Sequence, residues 1–138
     1  LRFDPNNSNA LSFMSATYEA MGEHQPAVNA YLEFLRVRGR KPEDIEVLKT
    51  TFEQQGMTAY WRLKLERIQP AISKGDLADA LRGAYLHCSL GEKDQAFALL
   101  ESAYQKHFYG LWYLKVDPRY DNLRNDPRFA DLLKRVGF

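Results

Sequence analysis

DLADALRGAYLHCSLGEKDQAFALLESAYQKH, the stretch from Asp76 to His107, reads as two amphipathic helices with a single glycine break between them. Leu77, Leu81, Ala84 and Tyr85 recur at the three- and four-residue spacing of one helix face. Asp76, just before them, is a good N-cap, because its side chain can accept from an otherwise orphaned amide of the first turn. Gly91 punctuates. A second run from Gln95 to His107 then carries Ala96, Leu99, Leu100, Ala103 and Tyr104.

The same grammar extends upstream. Between Ala10 and Met21 the large apolar residues are Leu11, Met14, Tyr18 and Met21, and Gly22 supplies the stop. Val28, Tyr31, Leu32 and Leu35 form the next run, which closes in the turn-prone segment Arg38-Gly39-Arg40-Lys41-Pro42. A third run holds Ile45, Leu48 and Phe52 and reaches Gly56. A fourth holds Tyr60, Trp61, Leu63, Leu65 and Ile68, and Pro70 is expected to interrupt it by removing a backbone donor. Helix–glycine–helix therefore occurs three times, with Gly22, Gly56 and Gly91 spaced by 34 and 35 residues. A helical pair recurring near that period marks one class of solenoid.

On these residues the chain resembles the tetratricopeptide repeat family, whose first helix runs large–x2–Leu–small–x2–Tyr and whose second carries Ala–x3–Phe before a proline. Leu11, Met14, Ser15, Tyr18, Ala27 and Tyr31 match in one unit; Ala80, Gly83, Ala84, His87, Ala96, Leu100 and Ala103 stand at the corresponding places in another. Small residues are needed there because antiparallel helices approach closely only where little side chain intervenes, as with Ser15 facing Ala27 or Ala84 facing Ala96. The resemblance implies an all-α fold, an α-α superhelix of antiparallel helix pairs. We divide it as one domain: 1–7 the end of a preceding repeat, 8–41 repeat 1, 42–76 an irregular repeat 2, 77–110 repeat 3 and 111–138 a C-terminal cap. Pro5, 34 residues ahead of Gly39, motivates the first assignment, and a start at Leu1 rather than Met suggests a piece of a longer polypeptide. In repeat 2, Lys49 stands where a small residue belongs and Trp61 replaces the alanine, so that pair is expected to be splayed or offset.

The tail, from Leu114 through Asp117-Pro118-Arg119 and Asp126-Pro127-Arg128-Phe129 to Phe138, resembles the ending of many bacterial multidomain signalling proteins. In these a repeat array follows a winged-helix DNA-binding, kinase or cyclase domain. Read residue by residue it is a capping helix: Asp126 as N-cap, Pro127 at the first position, Lys134 and Arg135 in the last turn before Gly137. Phe129, Leu132, Leu133 and Val136 make one stripe to cover an otherwise bare repeat end.

Bulk composition excludes several classes. Nineteen basic against 18 acidic residues give net charge +1, which offers no electrostatic footprint for nucleic acid or an anionic membrane. Cys88 is the only cysteine, so no intramolecular disulfide and no Cys-rich zinc site can form. No run approaches the roughly 18 apolar residues of a membrane span, and no signal peptide is evident. His24, His87 and His107 lack metal-ligand spacing, and His87 is expected to pack or hydrogen-bond. Cys88 beside His87 suggests a nucleophile pair, but adjacent helical side chains diverge by about 100°. Glu43, Asp44 and Glu46 read as first-turn residues favoured by the helix dipole. Tyr104, Phe108, Tyr109, Trp112, Tyr113 and Tyr120 are expected to pack in core or cap rather than stack on bases. Arg119, Arg124, Arg128 and Arg135 are expected to pair with the interleaved aspartates. We expect no catalytic residue, metal or cofactor.

The resemblance also implies where a partner binds. First helices line the concave groove, which here places Asn9, Ser12, Ala16 and Glu19, then Glu43, Glu46, Thr50 and Glu53, on its wall. In the third unit the wall is Ala78, Leu81, Tyr85 and Cys88, and we expect Leu81 and Tyr85 to be covered by the tail near Trp112 to Leu123, because a bare apolar wall is costly. The function implied is a protein–protein interaction scaffold, the regulatory or sensory module of a larger bacterial signalling or transcription-regulating protein. Its partner is a protein or peptide segment or another domain of the parent chain. No nucleic-acid or membrane contact is expected. Assembly into a homo-oligomer through exposed repeat ends is the competing expectation. The compartment expected is the cytoplasm, or the periplasm if the parent is membrane-anchored.

Overall fold

The computed structural model describes residues 7–137. The preceding-repeat assignment thus falls almost wholly outside the described residues, as does Phe138. Those described form seven α-helices, α1 Ser8–Ala20, α2 His24–Val37, α3 Pro42–Gln55, α4 Met57–Ser73, α5 Leu77–Ser89, α6 Lys93–Gln105 and α7 Pro127–Val136, with 3₁₀ segments at Tyr109–Tyr113 and Pro118–Leu123. No strand occurs among them, so the fold is all-α. Helices α1, α3 and α5 begin at residues 8, 42 and 77, and α2, α4, α6 and α7 at 24, 57, 93 and 127, which keeps the period read from the glycines.

Two compact units divide the chain, one up to Tyr60 and one from Trp61. In the first, α1 starts under the cap of Asn7, whose Oδ1 accepts from the Ala10 amide at 3.1 Å. Where α1 and α2 meet, the buried Ser15 hydroxyl donates to the Ala27 carbonyl at 2.8 Å. A small residue here does two things: it admits the facing backbone and satisfies its own polar atom. Pro42 opens α3 with Glu43 and Asp44 in its first turn, as the dipole favours. Leu48 is wholly buried, and the Tyr60 ring meets Tyr31 and Phe52 edge-on, with centroids 6.2 and 6.1 Å apart.

The pair read as repeat 2 is shared between the units: Tyr60 closes the first and Trp61 opens the second. Tyr60 is the fully buried ring of the two, whereas Trp61 is half-buried. Pro70 does not end the fourth run, contrary to expectation. Helix α4 continues to Ser73, and the Lys74 amide returns to the Pro70 carbonyl at 3.2 Å. So near a C-terminus a proline deletes one hydrogen bond and leaves the last turn intact.

In the second unit Asp76 caps α5, accepting from the Asp79 amide at 2.9 Å. Ala84 and Ala96 lie fully buried in a core with Leu100, Leu114, Leu123 and Phe129. A Cβ on Gly83 would stand 2.9 Å from Ile72 Cδ1 of α4 and 3.0 Å from Leu99 Cδ1 of α6. Gly83 thus marks where three helices converge, and hydrogen is what fits there without movement. The sixth run starts two residues earlier than expected, at Lys93, and ends at Gln105. His107, beyond it, takes φ +54° where the other positive-φ positions are glycine. Its amide bonds to Tyr104 O at 2.9 Å and that of Phe108 to Ala103 O at 3.0 Å, the paired bonds of a left-handed helix stop.

The tail closes this unit as expected. Asp126 caps α7, Pro127 occupies its first turn, Gly137 ends it in the left-handed conformation, and Phe129 and Leu132 are buried. Arg128 reaches Asp94 at 2.8 Å and Arg135 pairs with Glu101, while their guanidinium groups lie over the Phe97 and Tyr104 rings. Partners seven residues apart on each helix, in the same order, set α7 parallel to α6.

Two substitutions check this packing by denaturant unfolding. Gly83→Leu is expected to destabilise the chain by about 1–3 kcal/mol through overpacking. His107→Gly should stabilise it by on the order of 0.5–1 kcal/mol by relieving the left-handed strain.

Candidate binding surfaces

Helix α3 turns Leu48, Ile45 and Phe52 inward, and its opposite side lines a shallow depression formed by Pro42, Glu43, Glu46, Val47, Thr50, Thr51, Gln54 and Gln55. The depression holds Glu43, Glu46 and Thr50 of the expected groove wall. Glu53 is exposed on the same helix but off its lining, and Asn9, Ser12, Ala16 and Glu19 do not line it. Asn9 is exposed; the other three α1 positions are half-exposed. Glu43, Glu46 and Glu53 make no ion pair among the described residues. Val47, exposed at the centre, is the apolar element that the sequence reading passed over.

The third wall is closed. Tyr120 donates from its hydroxyl to the Leu81 carbonyl at 3.3 Å, Arg119 lies 4.3 Å over the Tyr85 ring, and Asn122 Nδ2 donates to the Cys88 carbonyl at 3.1 Å. Leu81 and Tyr85 are partly buried by this segment and Ala78 stays exposed. Cys88, on the same stripe, is shut off completely, so it offers a groove nothing. Burial pushes its thiol up to about 12, and at neutral pH it is a thiol rather than a thiolate nucleophile.

His87 turns from Cys88 to Glu92, with Nδ1 2.9 Å from Oε1. Glu92 also takes the fork of Arg62 at 2.9 and 2.8 Å, so one carboxylate ties α4, α5 and the start of α6. These contacts, Arg62 first and His87 second, hold its carboxyl below the usual range. The tail arginines pair locally: Arg119 with Asp117, Arg124 with Asp121, Arg128 with Asp126 and Arg135 with Asp131. Asp126 is drawn down to about 2, chiefly by the Arg128 side chain and then by its amide.

The aromatic group divides against expectation. Tyr120 is buried and Tyr104 and Phe108 are partly covered, but Tyr109 (74% exposed), Trp112 (64%), Tyr113 (66%) and Val116 (71%) face solvent. A 3₁₀ turn repeats every three residues. Leu111 and Leu114 take its inner ridge and are buried, which leaves 109 and 112 on one outer ridge and 113 and 116 on another. The leucine spacing was the available signal, masked by reading the segment as aromatic core.

No group of His, Cys, Asp or Glu among the described residues is arranged to hold a metal, and no helix there is long and apolar enough to cross a membrane. No protein-family model, curated protein or solved structure matches the chain.

The depressed carboxyls fix a pH dependence. Glu92, Glu101 and Asp126 all sit lower folded than unfolded, so their stabilisation is complete above the unfolded pKa near 4.5 and is lost as pH falls through the folded values, down to about 2 for Asp126. Glu92→Gln should therefore lower stability at neutral pH and flatten its decline on acidification, measured by urea unfolding at a series of pH values.

Proposed function

We propose that this chain is a tetratricopeptide-type interaction module that binds a basic peptide or protein segment along its amino-terminal unit. In this reading it is the regulatory or sensory part of a larger bacterial signalling or transcription-regulating protein. The observation that carries the binding assignment is the outer face of α3, where Glu43, Glu46 and Glu53 stand without ion-pair partners around exposed Val47 and half-exposed Thr50. Charges elsewhere on the molecule are mostly matched, so three unmatched carboxylates beside an apolar centre favour a cationic, partly apolar ligand such as an amphipathic helix. The helix starts that recur near 34 residues and the parallel setting of α6 and α7 support the repeat architecture on which the reading rests.

A second reading, self-assembly through α1, is favoured by the exposed side chains of Phe13 and Met21. Light scattering across a concentration series separates the two: the interaction module stays monomeric, the assembly element does not.

Fluorescence anisotropy with labelled lysine-rich amphipathic helical peptides tests the binding assignment. Glu46→Lys combined with Glu53→Lys should weaken binding about tenfold or more, and added salt should weaken the native complex. Equal affinity for both proteins would remove the electrostatic argument.

A further inference from the structure

The knob at Tyr109–Val116 has no place in the proposed peptide site. Its geometry is fixed from below. Leu111 and Leu114 are buried in the core, and a Cβ on Gly110 would stand 2.8 Å from Leu81 Cδ1, so the turn is pressed against α5. The Leu114 amide bonds to Leu111 O at 3.0 Å and that of Asp117 to Tyr113 O at 2.9 Å. With its inner ridge occupied, the turn holds Tyr109, Trp112, Tyr113 and Val116 outward without local rearrangement.

Charge singles out the surroundings. From Ser102 to Val116 there is no acidic residue, while Lys106, His107 and Lys115 are present and exposed. The nearest carboxylates in sequence are neutralised: Glu101 by Arg135, Asp117 by Arg119, Asp121 by Arg124. A chain with net charge +1 thus carries one purely cationic, aromatic projection. Four such side chains expose on the order of 500 Å², short of the roughly 800 Å² per partner of a stable protein complex. A symmetric contact with a second copy would set lysine against lysine. Protein interfaces, moreover, are depleted in lysine. Rings with one polar edge beside flexible ammonium groups suit the headgroup layer, where tyrosine and tryptophan settle and lysines reach lipid phosphates and carboxylates.

We propose that the Tyr109–Val116 knob is a peripheral docking site for an anionic lipid bilayer. The rings enter the headgroup region, and Lys106 and Lys115 meet the anionic lipids.

Vesicle co-sedimentation tests it, using the full chain with Trp61→Phe so that Trp112 is the only indole. Vesicles of phosphatidylserine in phosphatidylcholine should pellet the protein and shift Trp112 emission to the blue, and high salt should reverse both. Lys106→Glu with Lys115→Glu should weaken binding at least about tenfold, at about 1 kcal/mol per basic residue near a charged surface. Trp112→Ser with Tyr113→Ser should abolish it while the melting temperature stays unchanged, since both side chains are exposed. No pelleting by phosphatidylserine vesicles overturns the proposal, as does equal pelleting by pure phosphatidylcholine. It is also overturned if the knob instead captures a polyglutamate peptide or a second copy of the chain while leaving the vesicles free. Anisotropy with the basic peptides is read on α3, so failure of that reading is seen separately.

Discussion

Close approach of helices at small residues is the constraint on which both units depend. A helix pair gains dispersion and removes apolar surface from water only if its backbones come within reach, and a single bulky side chain at the crossing prevents this. Ser15 and Ala27 meet this requirement in the first unit, and Ser15 adds a bond to the facing carbonyl. Gly83, Ala84 and Ala96 meet it in the second, where Gly83 admits side chains from α4 and α6 at once. Large residues such as Leu48, Tyr60 and Leu100 fill the space beside these contacts. Repeat 2 lacks this device, with Lys49 and Trp61 at the critical places, and the boundary between the compact units falls within it.

The tail relates to α5 and α6 by the same 34-residue step. Asn122 bonds to Cys88, Arg128 to Asp94 and Arg135 to Glu101, each pair separated by 34 positions. Helix α7 therefore takes the place that a second helix of a further repeat would take, while the two 3₁₀ segments stand where its first helix would begin. Pro118 in the middle of that span cannot continue an α-helix from Leu111, and its ring starts a new turn instead. Shortening the first helix in this way brings Tyr120 down onto Leu81 and seals the stripe of α5. It also pushes Tyr109, Trp112 and Tyr113 outward. Closure of one surface and creation of the other are two results of one geometric choice.

Much of this was legible in order of residues. Caps at Asp76 and Asp126, the proline starts of α3 and α7 and the helix stops at Gly22, Gly56 and Gly91 are local chemistry, written within a few residues of where they act. Period and face follow from the spacing of Leu11, Leu48, Ala84 and Phe129. The Arg–Asp pairings of the tail were also accessible, because each partner is close in sequence. Pro70 was misread since its effect depends on how many helical residues follow it, which propensity alone does not fix.

Sequence by itself therefore determined the all-α class, the repeating helix pairs and the closing helix, because these arise from periodicity and capping among near neighbours. Tertiary structure alone decided which aromatic rings are core and which are surface, since a 3₁₀ turn and an α-helix present different ridges from the same letters. It decided that Cys88 is sealed beneath the tail and that Glu92 joins three helices, because both depend on residues thirty or more positions away. It also separated a local cationic projection and a local acidic face from a chain whose summed charge is almost zero. Addition over the sequence cancels what folding keeps apart.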